Sequence, residues 1–332
     1  MKALVTGGGG FLGRYIVEQL LARGDEVRVL GRRKYDDLVE AGVECIQGDV
    51  SDKSVVMQAC EGQEVVFHTA AIAGIWGRWE DYHRINTLGT SNVIDACKAN
   101  QVSKLVYTSS PSVTFDGSDQ NGIDESVPYP TRWLSHYPRS KAIAEQEVLG
   151  VNQAGDLATC ALRPHLIWGP RDTHLIPRLL ERAKQGKLRI IGSGENLVDM
   201  IYVENAASAH IQASDALSPD SPVAGKAYFI SQGKPVNCWD WINDILELAK
   251  IPKLRRKVPA KLAYLAGGTL EGVYRIAQIF DREPRMTRFL AAQLSTNHYF
   301  DISNAQNDFG YQTAISTEEG MDRLGQWIQS RQ

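Results

Sequence analysis

Tyr137 and Lys141 carry side chains whose combination can move a proton at neutral pH. A free phenol titrates near about 10 and is a poor base at pH 7, but a nearby ammonium stabilises the phenolate. The two residues are four positions apart, which places them on one face of a helix. Tyr137 could then donate a proton to a carbonyl that is being reduced, or accept one from an alcohol that is being oxidised.

A run of hydroxyl side chains supports this interpretation, because a Tyr and a Lys at this spacing are often only structural. Thr108, Ser109 and Ser110 end an apolar run of strand length, at the carboxyl edge where parallel sheets bind ligands. We expect Ser110 to hold the substrate oxygen beside Tyr137. Ser109 and Ser112 are the alternatives, and one or two of these hydroxyls could instead cap the strand end.

A glycine-rich segment follows the first apolar run and precedes the first helical pattern. Gly7 permits a tight turn, Gly10 lets the backbone approach a pyrophosphate, and Gly13 lets the helix pack closely on the strand. The pyrophosphate would bind to the free N–H groups at the helix N-terminus. This position in the chain favours dinucleotide binding over a glycine-rich turn without a ligand.

Two adjacent arginines favour NADP(H) over NAD(H). Arg32 and Arg33 follow the second strand, where NAD-binding proteins place a carboxylate for the ribose hydroxyls. Guanidinium groups can bind a 2'-phosphate in a bidentate manner, although they could also be exposed loop cations. Asp49 and Val50 follow the third strand and could meet the adenine edge; Asp49 could equally cap the next helix.

Alternating strands and helices are needed to position these groups. Strand-length runs begin at Ala3, Val27, Val43, Val65, Leu105 and Thr159, and helical patterns span Phe11 to Ala22, Tyr82 to Lys98 and Pro138 to Leu149. This alternation predicts an α/β fold with a doubly wound parallel sheet. The rhythm weakens after Gly169-Pro170. We expect a dinucleotide-binding Rossmann domain at 1–168 and 195–235, and a smaller mixed substrate-binding domain at 169–194 and 236–332.

Composition excludes several classes of protein. The 332 residues include 36 Lys and Arg against 39 Asp and Glu, a net charge of -3 that does not indicate a nucleic-acid partner. The five cysteines are widely spaced, which predicts neither disulfides nor a metal site and favours the cytoplasm. No apolar run reaches the length of a membrane span. The basic run Lys253 to Lys257 is expected to be a solvated loop or helix start, with a membrane-surface or acidic-ligand patch as the alternative.

A loop after the fourth strand could contact the substrate. Trp76 and Trp79 flank Arg78 and could form an apolar wall with one cation for a carboxylate, or could pack on the core. Arg171 and Arg178 are further candidates for anion recognition, but surface ion pairs explain them better.

Together, these motifs resemble the extended short-chain dehydrogenase/reductase family. The segments that carry the resemblance are Thr6 to Gly13, Gly48-Asp49-Val50, His68 to Ala71, Asn86 to Thr90, Thr108 to Ser110, Tyr137 to Lys141, Leu162-Arg163-Pro164, Trp168 to Asp172 and Asp199 to Asn205. Within the family, segments 68–79, 106–115 and 290–311 resemble the 3β-hydroxysteroid dehydrogenase and sterol-4-carboxylate dehydrogenase branch, and in particular its bacterial 2-alkyl-3-oxoalkanoate reductases.

The resemblance implies specific roles. It implies Ser110, Tyr137 and Lys141 as catalytic residues, and Asn86 as a supporting or proton-relay residue. The cofactor contacts that it implies, together with the residues above, are Phe11, Leu12, Ala70, Ala71, Asn86, Ser109, Tyr137, Lys141, Pro164 and His165. It also implies a homodimer formed through the helices at Tyr82 to Lys98 and Pro138 to Leu149.

The expected function is an NADP(H)-dependent oxidoreductase that interconverts a ketone and a secondary alcohol on a lipid-like, β-keto acid or steroid-like small molecule. A sugar-nucleotide epimerase or dehydratase is the second hypothesis, but the chain lacks an acid after the second strand and an Asp-Glu pair beside the strand-end hydroxyl. A nucleotide-sensing module without chemistry is the third, and such modules usually lack the Tyr and Lys pair.

Overall fold

Short strands and helices alternate through the first half of the chain in the computed structural model, which describes residues 1–152 and 157–331. The strands are β1 (Lys2–Thr6), β2 (Glu26–Gly31), β3 (Glu44–Gln47), β4 (Val65–His68), β5 (Lys104–Thr108), β6 (Gln120–Ile123) and β7 (Ala158–Pro164). The helices are α1 (Phe11–Arg23), α2 (Asp36–Glu40), α3 (Lys53–Cys60), α4 (Trp79–Tyr82), α5 (Gly89–Ala99) and α6 (His136–Val151). A π-helical turn, His83–Leu88, joins α4 to α5, and a 3₁₀ turn, Pro111–Thr114, follows β5.

The second half has shorter strands and a different order of elements. Its strands are β8 (Ile167–Trp168), β9 (Ile190–Ile191), β10 (Leu197–Val198), β11 (Ile201–Tyr202), β12 (Lys226–Ile230), β13 (Val236–Asn237), β14 (Lys257–Val258) and β15 (His298–Phe300). Its helices are α7 (Leu175–Lys184), α8 (Val203–Ala216), α9 (Cys238–Leu248), α10 (Ala260–Ile276), α11 (Arg288–Gln293), α12 (Ser303–Phe309) and α13 (Thr317–Gln329). Among the helices described, none combines the length and apolar composition needed to cross a bilayer.

A parallel seven-stranded sheet in the order β12-β7-β5-β4-β1-β2-β3 forms the centre of the molecule. From β1 the chain runs outward through β2 and β3, and then returns to β4 on the other side of β1. Thr6 at the end of β1 pairs with His68 at the end of β4. Ligands of such sheets bind where the strand order reverses, at the carboxyl ends of the strands. The predicted doubly wound fold with a smaller C-terminal part is confirmed.

Both faces of this sheet are covered, which explains why its strands are almost continuously apolar. Successive residues of β1 point to opposite faces: Val5 belongs to the core beneath α1 and α8, and Leu4 to the core beneath α3, α5 and α6. Side chains of β4 and β7 are buried throughout. This packing fixes the strand ends from which the polar side chains of the site project.

The smaller part has its own core and its own sheet. A four-stranded sheet in the order β13-β10-β15-β6 lies beside a cluster that includes Trp168, Trp239 and Trp241. Phe300 and Tyr311, which follow the predicted boundary at 236, pack instead with the core of the large sheet. Side chains from the C-terminal part therefore pack in the core of the large sheet. The domain boundaries given above stay a prediction.

A carboxylate covers the edge strand β12. The Phe229 N–H of this strand donates to Glu125 Oε1 at 2.7 Å, and Asn304 of α12 donates to Glu125 Oε2 at 2.6 Å. One main-chain donor at the open edge of the large sheet is thus paired within the protein.

Candidate active site

Tyr137 lies in the first turn of α6, next to the hydroxyl of Ser110. Burial raises the pKa of the Tyr137 phenol above its ordinary value, and the nearby Ser110 hydroxyl offsets part of this rise. Ser110 Oγ also lies 2.9 Å from Ser112 Oγ and accepts a hydrogen bond from the Ser112 N–H at 3.2 Å. The structure thus brings together the phenol and the strand-end hydroxyl, with Ser112 as the neighbour of Ser110.

Lys141 lies one helical turn after Tyr137 and is almost completely buried. Its Nζ donates to the Thr108 carbonyl oxygen at 2.6 Å and lies 4.0 Å from the centre of the Tyr107 ring. Burial lowers the pKa of Lys141 to about 7, and the charge of Glu145 opposes part of this shift. Glu145 is itself paired with Arg163 at 2.6 Å, so its charge is shared. The ammonium is held at the end of β5, on the same helix as the phenol.

Asn86 lies in the π-helical turn and connects the loop after β4 to α6. Its side-chain oxygen accepts from the Ile72 N–H at 2.7 Å, and its Nδ2 donates to the Ile72 carbonyl at 3.1 Å and to Ser140 Oγ at 3.0 Å. Ser140 in turn donates to the Tyr137 carbonyl at 2.8 Å. These contacts engage both polar atoms of the Asn86 side chain and connect the loop after β4 with the first turn of α6. Direct contact of Asn86 with a cofactor stays a prediction.

A cleft of about 770 Å³ opens at the carboxyl ends of β1, β2 and β4. The predicted cofactor residues that line it are Gly7, Gly10, Phe11, Arg32, Arg33, Asp49, Val50, Ala70 and Ala71. Five further residues line the same cleft, and the sequence did not predict them as cofactor contacts: Arg14, Tyr35, Arg171, Thr173 and His174. The glycine spacing carried no information about these residues, since the last three arrive from the segment after β8.

The glycine turn depends on close main-chain contacts that a side chain would prevent. Gly7 has φ +73°, and a Cβ there would lie 2.9 Å from main-chain atoms of Ala70. A Cβ at Gly13 would collide with the Gly7 carbonyl. Gly13 therefore permits the close contact between α1 and the turn. The start of α1 lines the cleft at Gly10 and Phe11, and the N-terminus of a helix favours a pyrophosphate there.

Arg32, Arg33 and Asp49, which we expect to contact the adenosine half of the nucleotide, line the cleft after strands β2 and β3. Arg32 and Arg33 are exposed and form no ion pair with any part of the chain that the structure describes. Burial alone would raise the pKa of Asp49, but hydrogen bonds from the Ser51 N–H and hydroxyl outweigh it and hold that pKa below its ordinary value. Asp52, and not Asp49, caps the N-terminus of α3. Asp49 therefore remains available to the cleft.

The other predicted cofactor residues lie outside the lining of this cleft. Leu12 is buried in the core beneath α1, and Pro164 ends β7. Ser109 Oγ is buried and has no hydrogen-bond partner within residues 1–152 and 157–331, as expected of a group that awaits a ligand. His165 Nε2 lies 2.6 Å from His298 Nδ1, a pairing across the two parts of the chain that sequence reasoning missed. Cofactor contacts of these residues stay predictions.

A second cavity, of about 440 Å³, lies beside the start of α6. Its lining combines aromatic and cationic side chains, including Trp76, Phe280, Arg132, Arg139 and Arg275. The Trp76 ring stacks on Phe280 with centres 6.2 Å apart, and its Nε1 donates to the Ile279 carbonyl at 2.9 Å.

Arg78 and Trp79, the other predicted substrate contacts of this loop, do not line the cavity themselves but contact side chains that do. Arg78 lies over the Phe280 ring at 5.1 Å, and Trp79 contacts the rings of His83 and His136. Trp76 alone of the predicted loop trio lines the cavity. The ion pairs of Arg171 with Glu18 and Arg178 with Glu283 agree with the ion-pair interpretation of both arginines.

Comparison with known proteins decides the family. A family model described as the 3-beta hydroxysteroid dehydrogenase/isomerase family matches residues 4–259. The chain belongs to this family. A 2-alkyl-3-oxoalkanoate reductase of Shewanella oneidensis is 49% identical over 97% of this chain and 85% of its own length. A human decarboxylating sterol-4-alpha-carboxylate 3-dehydrogenase is 36% identical over 98% of this chain and 87% of its own length.

The fold is also similar to solved structures. UDP-glucose 4-epimerase of Thermus thermophilus, solved in complex with NAD, has a TM-score of 0.75 and 25% identity over 99% of both chains. The predictions of an extended short-chain dehydrogenase/reductase, of its 3β-hydroxysteroid dehydrogenase branch, and of an NAD(P)-binding Rossmann enzyme that acts on CH–OH groups are confirmed.

Proposed function

We propose that this member of the family is an NADP(H)-dependent oxidoreductase that interconverts a ketone and a secondary alcohol on a lipid-like 3-oxo acid. The observation that carries the proposal is that the Tyr137 phenol lies near the Ser110 hydroxyl and one helical turn from the buried Lys141 ammonium. The Shewanella relative is a 2-alkyl-3-oxoalkanoate reductase, which favours a 3-oxo acid over a steroid as the substrate class.

Each residue of the group has a distinct task. A bound NADPH would supply the hydride that adds to the carbonyl carbon. Ser110 donates a hydrogen bond to the carbonyl oxygen and orients it toward Tyr137. Tyr137 donates its phenolic proton to that oxygen as negative charge develops there, and the Lys141 ammonium stabilises the phenolate that remains. In the oxidative direction the same groups act in reverse, with Tyr137 as the proton acceptor.

Charge in the nucleotide cleft supports NADP(H) over NAD(H). Arg32 and Arg33 directly follow β2, line the cleft and have no ion-pair partner among the residues described. The 2'-phosphate of NADP(H) would pair with these two guanidinium groups. The ribose of NAD(H) carries no charge at this position and would leave both guanidinium groups without an ion-pair partner.

The 440 Å³ cavity supports a substrate that is both apolar and anionic. Trp76 and Phe280 provide stacked apolar walls, while Arg132 and Arg139 are exposed cations in the same lining. Arg288 also lines the cavity but is already held by Glu271 at 2.8 Å. We therefore assign recognition of the carboxylate to Arg132 or Arg139, and not to Arg78.

A cytoplasmic homodimer is part of the proposal. All five cysteines are free thiols. Leu88 and Ile143 are exposed apolar residues on the two helical segments predicted to form the dimer. A second copy packed against these segments would remove both side chains from water, and light scattering of the purified protein tests this assembly.

The test is a reductase assay with a 2-alkyl-3-oxo acid, measured with NADPH and with NADH. Tyr137→Phe should lower kcat by a factor of about 100 or more, with a much smaller effect on binding of NADPH. Tyr299→Phe, which removes a phenolic oxygen outside the site, is the matched control. Full activity of Tyr137→Phe would refute the proton transfer. Turnover of a nucleotide sugar with tightly retained NAD would favour the epimerase alternative.

A further inference from the structure

Helix α10 has an exposed apolar face. Leu262, Leu265, Val273 and Ile276 are each more than half exposed, and Ile276 reaches 87%. Their spacing places them on one side of the helix, because an α-helix has 3.6 residues per turn. Ala263, Gly267 and Glu271 are the buried residues of the opposite side, and Gly267 lies directly against the main chain of Thr287.

This concentration of apolar side chains is unusual for the chain. Within the residues that the structure describes, ten large apolar side chains are exposed, and four of them form this face; Tyr264 is also exposed but lies on the other side of the helix. Single exposed apolar residues are normal on a soluble protein, but a contiguous group marks a surface that contacts something apolar.

Positive charge predominates beside the N-terminal half of this face. From Lys250 to Leu270 the sequence contains six Lys and Arg residues and no Asp or Glu, although the whole chain has a net charge of -3. Arg255, Arg256 and Lys261 are exposed. Glu271, the acidic residue of the helix itself, is buried on the opposite side and is paired with Arg288. Lys253 of this segment is paired with Glu247 at 2.8 Å, whereas Arg255, Arg256 and Lys261 form no ion pair among the residues that the structure describes. The N-terminal half of the apolar face is therefore bordered mainly by cations.

The helix also separates this face from the proposed substrate cavity. Glu271 and Arg275 of α10 line the 440 Å³ cavity from one side, while Leu262 and Ile276 face outward from the other. An apolar face flanked by basic residues, on a helix that is packed against the protein along its other side, is the pattern of an element that lies in the plane of a membrane interface.

We propose that α10 and the basic run Lys253 to Lys257 form a docking surface for a bilayer that contains anionic phospholipids. The helix lies parallel to the membrane, with Leu262, Leu265 and Ile276 in the region between headgroups and acyl chains. The exposed cations of the segment contact the anionic headgroups. Docking requires neither cofactor nor substrate, so the inference is independent of the proposed function.

Vesicle flotation of the full-length protein tests this inference. We expect binding to phosphatidylcholine vesicles that contain about a third phosphatidylglycerol to exceed binding to pure phosphatidylcholine vesicles by about tenfold. Leu262→Asp combined with Ile276→Asp should lower binding to the mixed vesicles by about tenfold or more. Arg255→Gln combined with Arg256→Gln should weaken it about threefold to tenfold and reduce its sensitivity to salt.

Matched variants separate docking from general changes of surface. Val39→Asp combined with Leu197→Asp alters two exposed apolar residues elsewhere, and Lys98→Gln combined with Lys234→Gln removes two exposed charges elsewhere. Both should bind the mixed vesicles as the parent protein does. Reduction of a short, water-soluble 3-oxo acid should be unchanged in every variant, so loss of docking is distinguished from loss of catalysis.

Three outcomes would overturn the proposal. The first is equal binding of the parent protein to the two kinds of vesicle, or no binding to either. The second is unchanged flotation of the Leu262→Asp, Ile276→Asp variant. The third is a protein that ignores vesicles but changes from dimer to monomer in light scattering when this pair is substituted, which would assign the face to contact between two copies of the chain.

Discussion

The Lys141 ammonium donates a hydrogen bond to the main-chain carbonyl of Thr108, 2.6 Å away. The position of this charge is therefore set by the end of strand β5 and not by another side chain. Since Ser110 follows two residues later, one strand end fixes both the cation and the hydroxyl that lies beside Tyr137.

Replacing Lys141 by Met should lower kcat/KM for ketone reduction about 100-fold or more, because the phenolate left by proton transfer loses its stabilising charge. Burial places the pKa of Lys141 at about 7, so the ammonium is present below that pH and is lost as the pH rises through it. Initial rates of the parent enzyme should fall over this range, and the fall should be absent in Lys141→Met.

Lys104→Met provides the control for this variant. Lys104 begins the same strand and also donates to a main-chain carbonyl, that of Ser214, at 2.8 Å. If it costs as much activity as Lys141→Met, the effect of Lys141 is structural.

Replacing both Arg32 and Arg33 by Ala should raise KM for NADPH about tenfold or more, since hydrogen bonds between charged groups contribute roughly 1.5–3 kcal/mol. KM for NADH should change much less, because NADH has no 2'-phosphate. Arg255→Ala combined with Arg256→Ala removes another pair of adjacent exposed arginines and should leave both KM values unchanged. Equal losses for the two cofactors would refute the assigned role.

Gly13→Ala should destabilise the protein by about 1–3 kcal/mol, because the added methyl collides with the Gly7 carbonyl in a packed turn. Binding of NADPH should weaken with it. Gly150→Ala in α6 meets no atom within 4 Å and should be neutral, or stabilising by about 0.5–1 kcal/mol. Urea unfolding and NADPH titration of both variants measure the contrast. Equal stability of the two would show that the turn can relax.

Stability should fall steeply between pH 7 and pH 5. Burial lowers the pKa of His68 to about 3 and of His210 to about 4, and holds that of His165 well below its ordinary value. As the pH falls through about 6.5, these histidines become protonated in the unfolded chain but stay neutral in the folded protein. Protonation of the unfolded chain lowers the free energy of unfolding by about 2 kcal/mol for each histidine at pH 5.

Urea unfolding at the two pH values measures this loss. His210→Gln should reduce it by about 2 kcal/mol, and the exposed His174→Gln should not. A loss of stability that is identical in both variants would refute the assignment to buried histidines.

The sequence predicted the elements whose signals are local. Alternating apolar runs predict the parallel sheet because burial on both faces leaves little choice of residue. The glycine turn follows from sterics within a few residues, and the helical spacing of Tyr137 and Lys141 follows from the repeat of the helix. These features need no knowledge of distant parts of the chain.

What the sequence did not predict depends on contacts between distant segments. Trp76 meets residues more than 200 positions later, and His165 pairs with His298 across 133 positions. Asn86 has its role because a π-helical turn directs it toward Ile72 and α6, and no propensity signals such a turn. Long-range partners of this kind are set by packing, on which a local pattern carries no information.

The pairing of Glu125 with the edge strand β12 has a consequence for behaviour at high concentration. An open strand edge offers hydrogen bonds to the strands of other molecules and so promotes aggregation. The carboxylate occupies the Phe229 amide, and Asn304 holds the carboxylate in place. Protection of this edge thus depends on two segments that are distant from each other in the chain, and a molecule in which α12 has not packed lacks the amide that holds Glu125.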